Sequence, residues 1–568
     1  MEIARLDRVQ KVLRAVRGYV SGYRAYKFLK IISLYHRIQA SRGLIDAISQ
    51  LERVLFEEAP DNVEVNSFKY TGRAGPEWLN LPAKWEIHDA WIEIQGKRYT
   101  YSQHPTLPAA HTPPSDGTIR GEVVKISDPL DEREYEKNKD KVLLVTKHHR
   151  VAYRLAAGQG VSAMIIADES KHHDSFPYYG LFLTKEEAEK ATTVAVTVPW
   201  NIGNHLEGKH VELRVDSDLG GPGELPVLIA WIGDKDTEGP SLIAHICHPT
   251  PGANDNASGS SAALEAFLSI AAAVEDGVLP EPDQTIRLIL LPEYTGSILS
   301  MEGWLSNLSN KGLNLDMVGR TKEYSVEPRL LYTPITHGPS MVGDTYFDAV
   351  YSAGIGTPIE YYMAGSDHDV FLAYGRDGVM INQWPDTFYH TDSDDANTIS
   401  IRYLQETAYT AAATIYLLST DYKPTGQARR KLLDLILQKH VAKGDLETAR
   451  LARSIIPLRY EIEGVPQSEE VSWSPVKDDR VIEPRVPLYA GLLTLRMELH
   501  EIIEFTRKLD TIEIPREVYN EIFYAGRNSY SIDRLHSELA SIYGINDLDN
   551  KLIVLLEAFE AHRLISLK

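Results

Sequence analysis

The chain has 568 residues, 43% hydrophobic and 24% charged, a globular balance too long for one core, so roughly two to four domains are expected. A formal net charge of -21 favours solubility and argues against nucleic acid or an anionic membrane as the main partner. The one cysteine, Cys247, excludes an internal disulfide framework and any cysteine-rich metal module.

Residues 1–57 read as helices, with Val9, Val12, Leu13 and Val16 at the spacing of one helical face. That face predicts a packing or assembly surface. Arg and Lys interrupt the apolar stretches of MEIARLDRVQKVLRAVRGYV, which therefore lacks the core of a signal peptide. No window approaches the roughly 18–20 apolar residues of a membrane span. The expectation is a cytoplasmic protein without membrane contact. From 58 to 118, Trp78, Trp85 and Trp91 lie among prolines and alternating runs such as AWIEIQGKRYTY, which predict strands and loops. HTPPSDGT, at 111–118, is a strong breaker and marks a boundary.

Residues 119–216 read as a small α/β insert. GEVVKIS, DKVLLVT, VAVTVPW and HVELRVDSD predict strands, and HHRVAYRLAAGQGVSAMIIAD predicts a helix, a glycine turn and a further strand. This order resembles the protease-associated domain of many peptidases, with a generic insert as the plain alternative.

Between 217 and 425, strands alternate with helices. LPVLIAWIG, SLIAHIC, TIRLILLP, LNLDMV, TPIEYY and GVMINQW predict strands, and helices fall near 258–274, 297–310, 342–354 and 400–419. The pattern predicts an α/β domain with a mostly parallel sheet and helices on both faces, to which 58–118 is also assigned. Residues 426–568, beyond the linker DYKPTGQ, read as a helical C-terminal domain with an irregular middle at 462–488. From about 515 they read as helix–turn–helix–turn–helix. Dimerisation or a lid is the expected role. A winged-helix-like module is the minor reading, and mixed charges argue against nucleic acid.

In such sheets, ligands bind beyond the carboxyl ends of the strands. SLIAHIC ends in His245, Cys247 and His248, and the next loop, PGANDNASG, carries Asp255. TIRLILLP ends at Glu293, LNLDMV carries Asp316, and PDTFYHTDSDD carries His390. Imidazoles and carboxylates gathered at one sheet edge suit zinc, which in catalytic sites keeps one position open. Singly, each has a plainer reading, as a surface hydrogen-bonding histidine or, for Asp255, a helix cap. Their recurrence after successive strands makes the case.

GANDNASGSSAALEAF resembles the metal-bridging segment of the M28 family of zinc aminopeptidases. LPEYTGS, LNLDMVG and FYHTDSDD follow at that family's intervals, so the resemblance spans roughly 225–420. With 58–115 ahead of it, the chain also resembles an aminopeptidase-like subgroup. The resemblance implies a zinc-exopeptidase-like body. His245 and Asp316 would bind one zinc, Asp255 would bridge to a second zinc also held by His390, and Glu293 would be the general base. Three departures stand out. Tyr294 occupies the place of the family's second, metal-binding glutamate. The expected zinc content of one or two ions therefore falls nearer one, with Glu293 as a stand-in ligand the alternative. Cys247, a poor acceptor, stands where the family has an aspartate that orients the first histidine. The loop from His245 to Asp255 is short, which leaves His248 as an alternative ligand, although strand alignment favours His245. AGSDHDVF resembles a site-lining segment in which Asp367 or His368 orients a ligand or contacts substrate. A helix N-cap at Ser366 or Asp367 is the alternative.

The expected function is zinc-dependent removal of N-terminal residues from peptides. The resemblance also suggests a homo-oligomer paired through the helical ends. Two alternatives remain: glutaminyl-cyclase-like acyl transfer at a single zinc, and a non-catalytic peptidase-like binding protein. Retention of the metal-binding pattern speaks against the second, while Tyr294 and Cys247 speak for it.

Overall fold

The computed structural model describes residues 2–568 apart from 59–61, 71–74, 357, 464, 466–476, 545–547 and 549. Part of the irregular stretch expected at 462–488 therefore lies outside the described residues.

Three helices open the chain: α1 (Glu2–Val16), α2 (Gly22–Ile32) and α3 (Arg42–Glu58). Val9, Val12, Leu13 and Val16 of α1 and Phe28, Leu29 and Ile32 of α2 are buried in the principal core. The apolar face read as a packing or assembly surface is thus covered by the chain itself.

The main sheet has eight strands. They are β1 (Val63–Tyr70), β9 (Gly223–Ile232), β10 (Gly239–His245), β11 (Ile286–Leu291), β12 (Ser309–Leu315), β13 (Arg329–Leu331), β14 (Ile359–Glu360) and β15 (Asp377–Asn382), in the order β1-β9-β11-β10-β12-β15-β13-β14. β10 runs parallel to β11 and β12, β12 to β15, and β13 to β14. β1–β9, β9–β11 and β13–β15 are antiparallel, so a parallel centre carries antiparallel flanks.

Alternate residues of the central strands serve two cores, as the two-residue strand period requires. Leu242, Ala244, Leu288 and Leu290 face α8 (Gly259–Glu275), α10 (Met341–Ala353) and α12 (Ile401–Leu418). Ile243, Ile289 and Leu291 face α9 (Thr295–Glu302) and α11 (His368–Ala373). Burial on both faces explains the nearly continuous apolar runs. The stretch Ala253–Glu275 is long and apolar enough by composition to cross a membrane, but 83% of its apolar window is buried in this core.

A second sheet has seven strands in the order β3-β2-β8-β4-β5-β6-β7. These are β2 (Trp85–Ile94), β3 (Lys97–Thr100), β4 (Ile119–Lys125), β5 (Val142–Val145), β6 (Ala163–Ile166), β7 (Val194–Thr197) and β8 (His210–Leu219). Helices α4 (Glu132–Lys137), α5 (His149–Gly158), α6 (Lys185–Ala188) and α7 (Trp200–Gly203) belong to the same segment. β2 and β3 come from the stretch 58–118 that the sequence pattern assigns to the catalytic domain, which corrects that boundary. The physical reason is pairing: β2 lies antiparallel to β8 from Trp85↔Leu219 to Ile94↔Val211. Ala90, Ile92 and Ile94 thereby share a core with Val211, Leu213 and Val215.

In the C-terminal region, α13 (Gln427–Ala442) and α14 (Leu446–Arg459) add Leu432, Ile436 and Ile456 to the principal core. Helices α15 (Leu499–Asp510), α16 (Glu517–Arg527), α17 (Ile532–Tyr543) and α18 (Lys551–Ala561) build a separate core around Phe505, Ile522, Leu539 and Phe559. A two-stranded ribbon, β16 (Ile482–Pro484) with β17 (Ile565–Leu567), completes it.

Candidate metal centre

β10 delivers His245 to the edge of the main sheet, and the chain then turns through His248 toward α8. This turn is held from the N-terminal segment. Arg37, fully buried, exchanges backbone hydrogen bonds with His248 and donates through its guanidinium to the carbonyls of Ile246 (2.6 Å), Pro251 (3.1 Å) and Gly252 (2.7 Å). Burial lowers its pKa to about 10. Gly252 has φ 48°, and a Cβ there would collide with His248 Nδ1 and the Asp255 carbonyl, so only glycine fits.

Asp255 follows in a kinked turn, Ala253–Ser258, ahead of α8, where its own backbone (φ -104°, ψ 98°) is non-helical. Its backbone N–H donates to Asp394 at 3.0 Å, and Asp394 is ion-paired with the buried Arg320. Asn256 accepts from Met317 N–H at 3.0 Å and donates to the Leu315 carbonyl at 2.9 Å, locking this turn against the end of β12 where Asp316 begins. His390 lies in the loop after β15, with the Tyr389 ring stacked on it at 3.8 Å and the Tyr178 ring edge-on at 5.1 Å.

These elements bring the residues into two groups that share Asp255: His245, Asp255 and Asp316 in one, His248, Asp255 and His390 in the other. His245 Nε2 lies 3.3 Å from Asp255 Oδ1 and 3.5 Å from Asp316 Oδ1. His248 and His390 Nε2 lie 3.5 and 3.1 Å from Asp255 Oδ2. A tetrahedral zinc with bonds of about 2.0 Å separates its ligands by about 3.3 Å, close to these four separations. The ring tautomers also fit. His245 Nδ1 faces the Cys247 carbonyl (3.3 Å) and His248 Nδ1 the Pro249 carbonyl (3.0 Å), which leaves each Nε2 lone pair for a metal. His248 Nε2 and Asp316 Oδ1 are buried without a hydrogen-bond partner, as groups that await a cation would be. Burial opposes the charged form of His245, but the adjoining Glu293 and Asp316 carboxylates lift its pKa well above the usual value. Burial drops the His390 pKa to about 3.

His245 and His248, read as alternatives, thus stand on the two sides of one bridging carboxylate. His248 and His390 face one oxygen of Asp255 while His245 faces the other, so these residues form two candidate sets of ligands. Asp255 is not a helix cap, because its carboxylate faces three imidazoles.

Glu293, at the end of β11, belongs to neither group but lines the same cavity as His245, His248, Asp255 and His390. Its N–H donates to Cys247 Sγ at 3.1 Å, and its carbonyl accepts from Gln39 at 3.0 Å. Burial, then the charges of Asp316, Asp367 and Asp255, push its carboxyl pKa well above the usual range, with His245 opposing. Among the described residues Asp367 makes no hydrogen bond or ion pair with a ligand group. It accepts from Tyr294 N–H (2.9 Å) and Ser297 Oγ (2.6 Å), and so braces the turn after Glu293. Its pKa rises to about 6 through burial. Tyr294 points away, its hydroxyl donating to Asp369 at 2.8 Å. His368 is not at the centre: α11 turns it toward the Met363 carbonyl, 2.9 Å away.

The cavity over the centre measures about 480 Å³. Its walls include Gln39 from the N-terminal segment, Arg150, Tyr178 and Phe182 from the insert, and Tyr489, Leu492 and Arg516 from the C-terminal region. None of these carries a local sequence signal, since each reaches the cavity only through tertiary packing.

A mixed α/β body with two histidine–carboxylate groups around one bridging aspartate belongs to the class of metal-dependent hydrolase centres. Residues 228–415 match the family model of Peptidase family M28. Comparison with curated protein sequences gives no match. The fold is similar to that of BSAP, a zinc aminopeptidase from Bacillus subtilis, at 19% identity and a TM-score of 0.52, covering 72% of this chain and 97% of that one. A Peptidase M28 precursor from Shewanella amazonensis aligns at 15% identity and a TM-score of 0.56, covering 75% and 98%. A putative peptidase from Clostridium acetobutylicum aligns over 99% of this chain and 100% of its own, at 14% identity and a TM-score of 0.51.

Proposed function

We propose that the chain is a zinc-dependent aminopeptidase that removes N-terminal residues from short peptides, with Glu293 as the general base. The observation that carries the reading is the pair of ligand groups sharing Asp255, with one further carboxylate, Glu293, beside them and outside both. His245, Asp255 and Asp316 would hold one zinc, and His248, Asp255 and His390 the other. Zinc bound there supplies Lewis acidity, lowering the pKa of a coordinated water toward about 7 and polarising a carbonyl.

The protein's own groups do the rest. Glu293 takes a proton from the attacking water and returns it to the departing amine, a task suited to a carboxyl whose basicity is raised by burial. Cations held by the ligand groups would act in the opposite sense and favour the ionised form of that carboxyl. Asp367 holds the Tyr294 turn, and with it the Glu293 backbone, through two hydrogen bonds. The N-terminal segment, the insert and the C-terminal region all contribute residues to the cavity lining, which supports a confined site for a short peptide. Aminoacyl chromogenic amides with free and acetylated α-amines test the reading. Hydrolysis is expected only of the free amines, and equal cleavage of acetylated or internal sites would remove the aminopeptidase assignment.

A further inference from the structure

The cavity over the metal centre contains an arginine with no counter-ion among the described residues. Arg150 is the second residue of α5, and it lines the same cavity as His245, Asp255 and Glu293. Its Nε donates to the Gly180 carbonyl at 2.8 Å, and its guanidinium lies over the Phe182 ring, 4.5 Å from the centroid. Among the described residues it pairs with no carboxylate, and its two terminal nitrogens make no hydrogen bond to the protein. Other buried or half-buried arginines have such partners. Arg154 pairs with Glu187, Arg320 with Asp386 and Asp394, and Arg429 with Asp344. Arg287 donates to three carbonyls. In a chain of net charge -21, with carboxylates in large excess, an unpaired guanidinium at a substrate cavity is a position where the fold leaves room for an outside anion.

The placement is directional. Tyr178, packed edge-on against His248 and His390, lines the same cavity as Arg150, Asp255 and Glu293. Arg150 and the metal-ligating side chains thus open onto one cavity, where a single bound molecule can meet both. With Nε engaged by Gly180, the two terminal amino groups remain for end-on bidentate binding, the geometry that matches a carboxylate. His149, Arg150 and Val151 bring the N-terminal end of α5 to the cavity, and its partial positive charge acts in the same direction. Arg516 adds a second cation, exposed to solvent, on the cavity wall.

We infer that Arg150 receives a carboxylate of the substrate, so that the enzyme selects short peptides with an anionic group just beyond the scissile bond. The inference rests on the aminopeptidase reading. The carboxylate is either the free C-terminus of a very short peptide or the side chain of an acidic residue.

Matched substrates separate these sources: Ala-Ala against its C-terminal amide, and Ala-Asp amide against Ala-Asn amide. The wild type should prefer the acid of at least one pair by about tenfold or more in kcat/KM, as charge-assisted hydrogen bonds allow. In Arg150→Gln the ratio should fall toward one, while Arg150→Lys should keep part of it. Each ratio is taken within one preparation, so partial misfolding of a variant does not affect it. A preference in the first pair alone identifies the C-terminus, and in the second alone an acidic side chain. Ratios near one in both pairs for the wild type, or a preference that survives in Arg150→Gln, would overturn the inference. If no peptide is cleaved, the aminopeptidase reading falls by itself. Calorimetric binding of the same pairs to wild type and Arg150→Gln then decides the carboxylate question separately.

Discussion

Replacing His248 by alanine tests the metal centre most sharply. His248 Nε2 is buried without a hydrogen-bond partner, 3.5 Å from Asp255 Oδ2, and its Nδ1 is held by the Pro249 carbonyl. The substitution leaves the second group with His390 and a carboxylate shared with the first. Loss of an outer hydrogen-bond partner of a metal ligand typically costs about 10–100-fold in affinity, so loss of a direct ligand should cost at least about 100-fold, or about 2.7 kcal/mol. The assay begins with metal-free protein, titrates zinc against a chromophoric chelator and counts the bound metal by elemental analysis. We expect about two zinc ions per chain in the wild type, falling to about one in His248→Ala and in His245→Ala. Asp255→Asn should disturb both, because each group uses one of its oxygens. A wild type with a single zinc, unchanged by His248→Ala, would refute the reasoning and show that Tyr294 leaves the second position without a ligand.

Glu293→Gln keeps size and polarity but cannot accept a proton, so turnover should fall by about a hundredfold or more while zinc content holds. Parallel loss of metal and activity would make Glu293 a ligand instead. Arg37→Ala removes donors to the buried carbonyls of Ile246, Pro251 and Gly252, and should lower unfolding free energy by about 3 kcal/mol or more and weaken zinc binding. Unchanged values in denaturant and zinc titrations would show that the loop holds itself. Glu521, buried and accepting hydroxyls from Thr336, Tyr361 and Tyr543, has its pKa raised from the ordinary 4.5 to about 8, burial being the main cause. The unfolded chain ionises it first, so its contribution to stability falls as pH rises between those values and levels off above. Glu521→Gln should remove a slope on the order of 5 kcal/mol at most, read from denaturant unfolding at about pH 5 and about pH 9. An unaltered pH dependence would rule out Glu521 as its source.

The strand-end residues were legible without a structure. A continuous apolar run predicts a strand buried on both faces, and its last residue falls at the ligand-binding edge, which is how Glu293 and His245 are found. The helices after Asp255 and at 401–418 follow from apolar content and turn signals in the same way. The apolar stripe of α1 was equally visible, but the pattern shows that a face is buried, not what covers it. Only the tertiary structure brings α12 and its neighbours over Val12 and Val16. Similarly, AWIEIQGKRYTY reads as strand in any sheet. Its partner, residues 210–219, lies more than a hundred positions away, and long-range pairing alone assigns it to the insert. The relation of His245 to His248 turned on the path of one short loop, which Arg37 sets from outside it. Whether Arg150 has a counter-ion is decided in the same way, because local periodicity determines the kind of element and the face it buries, while the charges that meet across a cavity depend on how distant elements pack.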